Sequence, residues 1–116
     1  MHARDWALAF LLTLVVETPV YLLATRRSLG VVAALVMVLV VNIATHPIAW
    51  TIIMLSCGSS PYGFLAVEGV VVFVEGLLLF SAGRSRFARQ PVLLRTSFAI
   101  SLAANCFSAG LGLLLL

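Results

Sequence analysis

The sequence predicts an all-α fold, a polytopic bundle of four transmembrane helices, and three observations carry that prediction. Of 116 residues, 63% are hydrophobic and 9% are charged, whereas an ordinary soluble domain carries about 25% charged residues. Mean hydropathy is +1.19, too apolar for a chain whose whole surface meets water. The apolar residues also gather into four stretches, each near the roughly 20 residues that cross a bilayer core. In lipid every backbone polar group needs an internal partner, and these stretches are far longer than barrel strands, so the spans are expected as helices. Residues 1–116 then form one transmembrane domain, with no room for a soluble one.

The first helix is placed at about 6–24, from Trp6 to Ala24, and ends before Arg26 and Arg27. Glu17 and Pro19 interrupt its apolar run and no small-x-small cleavage pattern follows, so it is expected to stay in the mature protein. The second spans about 30–56 and contains the stretch VNIATHPIAW. The loop SCGSSPY follows without a basic residue, and the third helix is placed at about 63–81. There Glu68-Gly-Val-Val-Val-Phe-Val is followed by Glu75-Gly-Leu-Leu-Leu-Phe-Ser. This seven-residue near-repeat stacks Glu on Glu and Gly on Gly, and reads either as a close-packing seam at Gly69 and Gly76 or as two acidic stations on a path. The fourth helix is placed at about 92–116, after Arg84, Arg86 and Arg89 and with Arg95 just inside it.

All seven basic residues are arginine, and six of them flank the first-to-second and third-to-fourth connections. Since excess positive charge stays on the cytoplasmic side, both termini are expected outside, with Arg4 arguing weakly the other way. The net charge of +3 then reflects topology and anionic headgroups, not nucleic acid. Cys57 and Cys106 fall at different depths and are expected as free thiols.

Helical spacing places one strongly polar side chain near the middle of every span: Glu17, Asn42, Glu75 and Asn105. Around them run polar stripes, with Thr13, Glu17 and Tyr21 on the first helix, and Asn42, Thr45, His46 and Trp50 on the second. Ser97, Ser101, Asn105, Ser108 and Gly112 form a third on the last helix. With lipid outside, these faces are expected to turn inward and meet. One turn nearer the outside, His46 and Glu68 are expected to share a depth. Pro19 and Pro47 leave the Val15 and Ile43 carbonyls without their helical donors, so kinks are expected, with Asn42, Thr45 or Tyr21 as substitute donors.

Three glutamates in lipid without a deeply placed cation must be neutralised, because each charge near the bilayer centre costs roughly 2.5–3.5 kcal/mol. Protonation, a bound cation or another protein's basic side chain would each serve. The expected site for a proton or other cation is therefore Glu17, Asn42, Thr45, His46, Glu68, Glu75, Asn105 and Ser108. A divalent metal ion is one option, with His46 and Glu68 as its ligands. The chain is expected not to be an enzyme: H-E-x-x-H, G-x-S-x-G and C-x-x-C are all missing, leaving only a metal-activated water as a hydrolytic option.

The order E-T-P at 17–19, N-I-A-T-H-P at 42–47, the acids at 68 and 75, and N-C-F-S at 105–108 resembles a group of uncharacterised small bacterial four-helix inner-membrane proteins. The resemblance covers nearly the whole chain; it implies a multi-pass protein of the bacterial inner membrane and brings no activity. The leading expectation is a cation-binding or cation-translocating membrane protein. The alternative is a non-enzymatic accessory or assembly subunit of a larger membrane complex. The expected partners are the lipid bilayer and either further copies of the chain or other subunits of such a complex.

Overall fold

The computed structural model describes residues 3–57, 60–86 and 88–115, with backbone alone for Ala3, Ser56 and Cys57. The chain forms α1 (Ala3–Leu29), α2 (Val31–Ile52) with a π-helical turn at its end (Ile53–Cys57), α3 (Pro61–Gly83) and α4 (Leu94–Leu115). All four helices are long and apolar enough to cross a membrane. Together they make a rod of 42 × 23 × 20 Å. α1 and α3 stand on one diagonal, and each packs against both α2 and α4. Short connections between neighbours give the up-down-up-down order of a four-helix bundle.

The helix ends depart from the expected bounds for local reasons. α1 runs beyond Ala24 to Leu29, so that Arg26 and Arg27 lie in its last turn, where positive charge is favourable against the helix dipole. Gly30 is the whole link to α2, not its first helical residue. Its φ of 85° lies in the left-handed region open to glycine. The Gly30 N–H donates to the Arg26 carbonyl at 2.9 Å, and its carbonyl accepts from the Ala34 N–H at 3.0 Å. α3 begins at Pro61, behind a Ser60 side chain that accepts from the Gly63 N–H, a proline-first start after a polar cap. α4 begins at Leu94 instead of Val92. The preceding loop is tied to the end of α1, with the Arg89 N–H donating to the Ser28 carbonyl at 2.6 Å.

Outside and inside are inverted relative to a soluble protein. Val15, Val32, Ile48 and Leu65 are exposed, whereas Glu17, Asn42, Glu75 and Asn105 are buried. The apolar core is concentrated in the arginine-bearing half of the rod, where Leu29, Val38, Val41, Leu79, Ile100 and Ala104 pack around Tyr21. In the other half only Ala49, Val67 and Val71 form a small buried cluster.

One packing expectation needs correction. Gly76 does face α4 closely: a Cβ there would lie 2.5 Å from Phe98 Cδ1. Gly69 has nothing within 4 Å of the same position, so the near-repeat makes one glycine contact, not a seam of two. Pro19 and Pro47 are both exposed, and the α-helix continues through each. Cys106 is a free, exposed thiol on α4. The Cys57 thiol, Gly58 and Ser59 of the connecting loop, and Leu116 lie outside the described residues.

Candidate functional site

Midway along the bundle all four helices meet in one hydrogen-bonded layer. α1 brings Glu17 and Tyr21 on successive turns, α2 brings Asn42 and Thr45, α3 brings Glu75, and α4 brings Ser101, Asn105 and Ser108. All eight are buried. Glu17 accepts from Asn42 Nδ2 at 2.8 Å on Oε2 and from Ser108 Oγ at 2.9 Å on Oε1. Glu75 accepts from Thr45 Oγ1 at 2.8 Å on Oε1. Its Oε2 accepts from Asn105 Nδ2 at 2.6 Å and Tyr21 OH at 3.1 Å, with Ser101 Oγ approaching to 3.5 Å. Every donor in this layer is neutral, and all seven arginines are exposed.

The same arrangement occurs twice. The first hairpin contributes Glu17, Asn42 and Thr45; the second contributes Glu75, Asn105 and Ser108. In each, the asparagine donates one amide hydrogen to a carbonyl four residues back, Val38 or Ser101, and the other to the glutamate of its own hairpin. The hydroxyl three residues later donates to the glutamate of the opposite hairpin: Thr45 to Glu75, Ser108 to Glu17. The layer is therefore a reciprocal clasp, in which each hairpin supplies a hydroxyl to the other's acid. Because each asparagine is oriented by its own helix, the donor is already aimed when the acid docks.

Where the two halves differ, the acids differ. Four residues after Glu17 stands Tyr21, whereas four after Glu75 stands Leu79. The Tyr21 hydroxyl and Ser101 both serve Glu75, which faces four donors against two at Glu17.

Toward the opposite end from the core cluster, the layer forms the floor of a half-open cavity of about 320 Å³ lined by all four helices. Glu75, Asn42, Thr45, Asn105 and Ser108 line its base; His46, Trp50, Phe64 and Glu68 line its walls. His46 and Glu68 share this cavity without a bond between them. The His46 ring lies among aromatic neighbours instead, 5.2 Å from Phe10, 6.0 Å from Trp6 and 6.3 Å from Trp50 between centroids. His46 Nε2 and Trp50 Nε1 are buried without a hydrogen-bond partner. Among the described residues, no three His, Cys, Asp or Glu side chains are grouped to hold a metal ion.

Six of the eight expected site residues thus meet directly: Glu17, Asn42, Thr45, Glu75, Asn105 and Ser108. His46 and Glu68 stand apart in the cavity above them. Tyr21 and Ser101 were not expected at the site, although each lies four residues from a member of it, on the same helix face. Tyr21, Asn42 and Thr45 do not serve the carbonyls freed by the prolines; their hydrogens go to the acids and to the carbonyls of their own turns. No protein-family model, curated protein or solved structure matches the chain.

Proposed function

We propose that the chain is a bacterial inner-membrane protein that binds a cation, most simply a proton, on the paired glutamates of its central layer and takes it up through the cavity above them. The observation that carries this reading is that two fully buried acids are surrounded by neutral donors alone, with every arginine exposed. Uncompensated carboxylates in lipid are too costly to leave ionised. The layer has a place for two protons. Thr45 has one hydroxyl hydrogen and two acceptors within reach, the Val41 carbonyl at 2.7 Å and Glu75 Oε1 at 2.8 Å. A proton on Oε1 donates to the threonine oxygen and frees its hydrogen for the carbonyl. Ser108 stands in the same relation to Glu17 Oε1 and the Asn105 carbonyl.

The positive-inside rule orients the path. The turn after α1 and the loop before α4 carry Arg26, Arg27, Arg84, Arg86 and Arg89, which favours that end in the cytoplasm, with both termini and the cavity facing out. The apolar cluster around Tyr21 then closes the cytoplasmic half. A divalent metal is the weaker form of the reading, since His46 and Glu68 have no third ligand grouped with them among the described residues.

The test is proton uptake by liposomes holding the purified protein and an internal pH dye, with and without the Glu17→Gln, Glu75→Gln double substitution. Uptake should depend on the acids, and unchanged uptake by a folded double variant would end the proposal. One observation favours a second reading, an accessory subunit of a membrane complex whose polar layer only fixes helix register: every acid in the layer is already bonded across helices. That reading requires a stoichiometric partner after mild-detergent purification, and a clean homo-oligomer counts against it.

A further inference from the structure

The glutamate that the layer does not use is Glu68. It is half-buried on the cavity wall, and among the described residues it has neither a hydrogen-bond nor an ion-pair partner. The twofold pattern shows how unusual its position is. Seven residues before Glu75 stands Glu68, and seven before Glu17 stands Phe10; eleven before the two acids stand Phe64 and Trp6. On the partner helices, four residues after the asparagine, His46 answers to Ala109, and eight after, Trp50 answers to Leu113. The outer half of the bundle is therefore unequal. α1 and α2 hold a continuous aromatic cluster of Trp6, Phe10, His46 and Trp50, with Trp6 and Phe10 stacked at 5.4 Å and 3°. α3 sets an unpaired acid into the cavity that His46 and Trp50 also line.

We propose that this cavity binds a small monovalent organic cation, its charge on Glu68 and its apolar body against the aromatic wall. Three features select that class. An unpaired acid in a cavity whose lining holds no lysine or arginine favours a positive guest; the other titratable groups that line it are His46 and Glu75. Aromatic faces attract a cation, and they also cover an apolar body. The volume of about 320 Å³ lies at the small end of the range for organic ligands, roughly 300–1,000 Å³. The unpartnered Trp50 N–H and His46 Nε2 add two polar contacts for any heteroatom such a guest carries. Glu68 lies about 10 Å along α3 from its first residue, so a guest reaches it without crossing the closed half. The site shares the cavity of the proton reading, but it needs no proton movement at Glu17 or Glu75.

The experiment is a titration of the full chain in lipid nanodiscs with benzyltrimethylammonium, read by fluorescence. The only two tryptophans, Trp6 and Trp50, both belong to the aromatic cluster. Neutral neopentylbenzene, which has the same shape, is the control for apolar fit, and empty nanodiscs for partition into lipid. Saturable binding of the ammonium ion is expected, weakened about tenfold or more by Glu68→Gln and largely restored by Glu68→Asp. Binding should also weaken as pH falls, because protons compete for the Glu68 carboxylate and a protonated His46 repels the guest; Glu68→Gln should remove the first part of that dependence and His46→Gln the second. Glu17→Gln, outside the cavity lining, should leave it within about twofold even where proton uptake is lost, so the two proposals fail separately. Signal no greater than in empty nanodiscs, equal affinity for the neutral compound, or a folded Glu68→Gln variant that binds as well as the original chain would each overturn the inference.

Discussion

Asn42 and Asn105 divide their amide hydrogens identically, one to a carbonyl of the preceding turn and one to the glutamate of the neighbouring helix. The first bond fixes the side chain; the second crosses between helices. Between them the two residues couple α2 to α1 and α4 to α3, and the hydroxyls three residues later couple the two hairpins. In lipid, where apolar contact between helices gains little over contact with acyl chains, such bonds specify which helix faces meet.

Replacing Asn42 with leucine should therefore destabilise the protein by about 1–2 kcal/mol, since it leaves Glu17 with Ser108 alone. In a double-mutant cycle with Glu17→Leu, which removes the acceptor, measured by unfolding in mixed micelles, the coupling should be about 1 kcal/mol. Strictly additive effects would mean that the bond at 2.8 Å does not contribute to holding α1 against α2.

The two acids should respond alike to amide substitution. At Glu17, a glutamine can turn its oxygen to Asn42 and its amide to the Ser108 oxygen. At Glu75, a glutamine oxygen can take the place of Oε2, facing Asn105, Tyr21 and Ser101, while its amide faces the Thr45 oxygen, whose hydrogen goes to the Val41 carbonyl. Each substitution should therefore change stability by less than about 1 kcal/mol by the same unfolding measurement. A cost of several kcal/mol at either position would mean that its carboxyl group is ionised in the layer.

Helix number and the polar layer were legible in the sequence because both depend on quantities a sequence carries directly. Span length follows from apolar runs, and the depths of Glu17, Asn42, Glu75 and Asn105 follow from a fixed rise per residue. Azimuth is less legible. Helical spacing put Tyr21 and Glu17 on one face, but only the assembled bundle shows that the hydroxyl reaches across its centre to Glu75. His46 and Glu68 did fall in one cavity, yet ring packing with Trp6 and Phe10 governs the imidazole, and those aromatics belong to a helix whose rotation spacing alone does not fix. Gly69 and Gly76 illustrate the same limit: a seven-residue step is about 20° short of two full turns, and α4 packs against only one of them.

That contrast makes the glycines a controlled pair. Gly76→Ala drives a Cβ against the Phe98 ring, whose Cδ1 and Cε1 would lie 2.5 and 2.8 Å away, and should destabilise the protein by about 1–3 kcal/mol. Gly69→Ala meets nothing within 4 Å and should be neutral or stabilising by up to about 1 kcal/mol, through helix propensity alone. Thermal unfolding of the two variants side by side measures the difference; a Gly69→Ala variant as unstable as Gly76→Ala would place α4 differently.

The proton assignment has a spectroscopic consequence. If Glu17 and Glu75 hold protons on Oε1 that donate to Ser108 and Thr45, the infrared spectrum of the protein in lipid should contain carbonyl bands of neutral carboxylic acids, well separated from the amide backbone. Glu17→Gln should erase one and Glu75→Gln another. Ser108→Ala should then move the Glu17 band alone and Thr45→Val the Glu75 band alone, each to higher frequency as the acid loses its hydrogen-bond acceptor. These hydroxyl variants keep both carboxyls, so they distinguish a proton held in place by Thr45 and Ser108 from one shared elsewhere in the layer. A spectrum without neutral-acid bands at the pH of proton uptake would mean that the acids are ionised, and that another cation balances them.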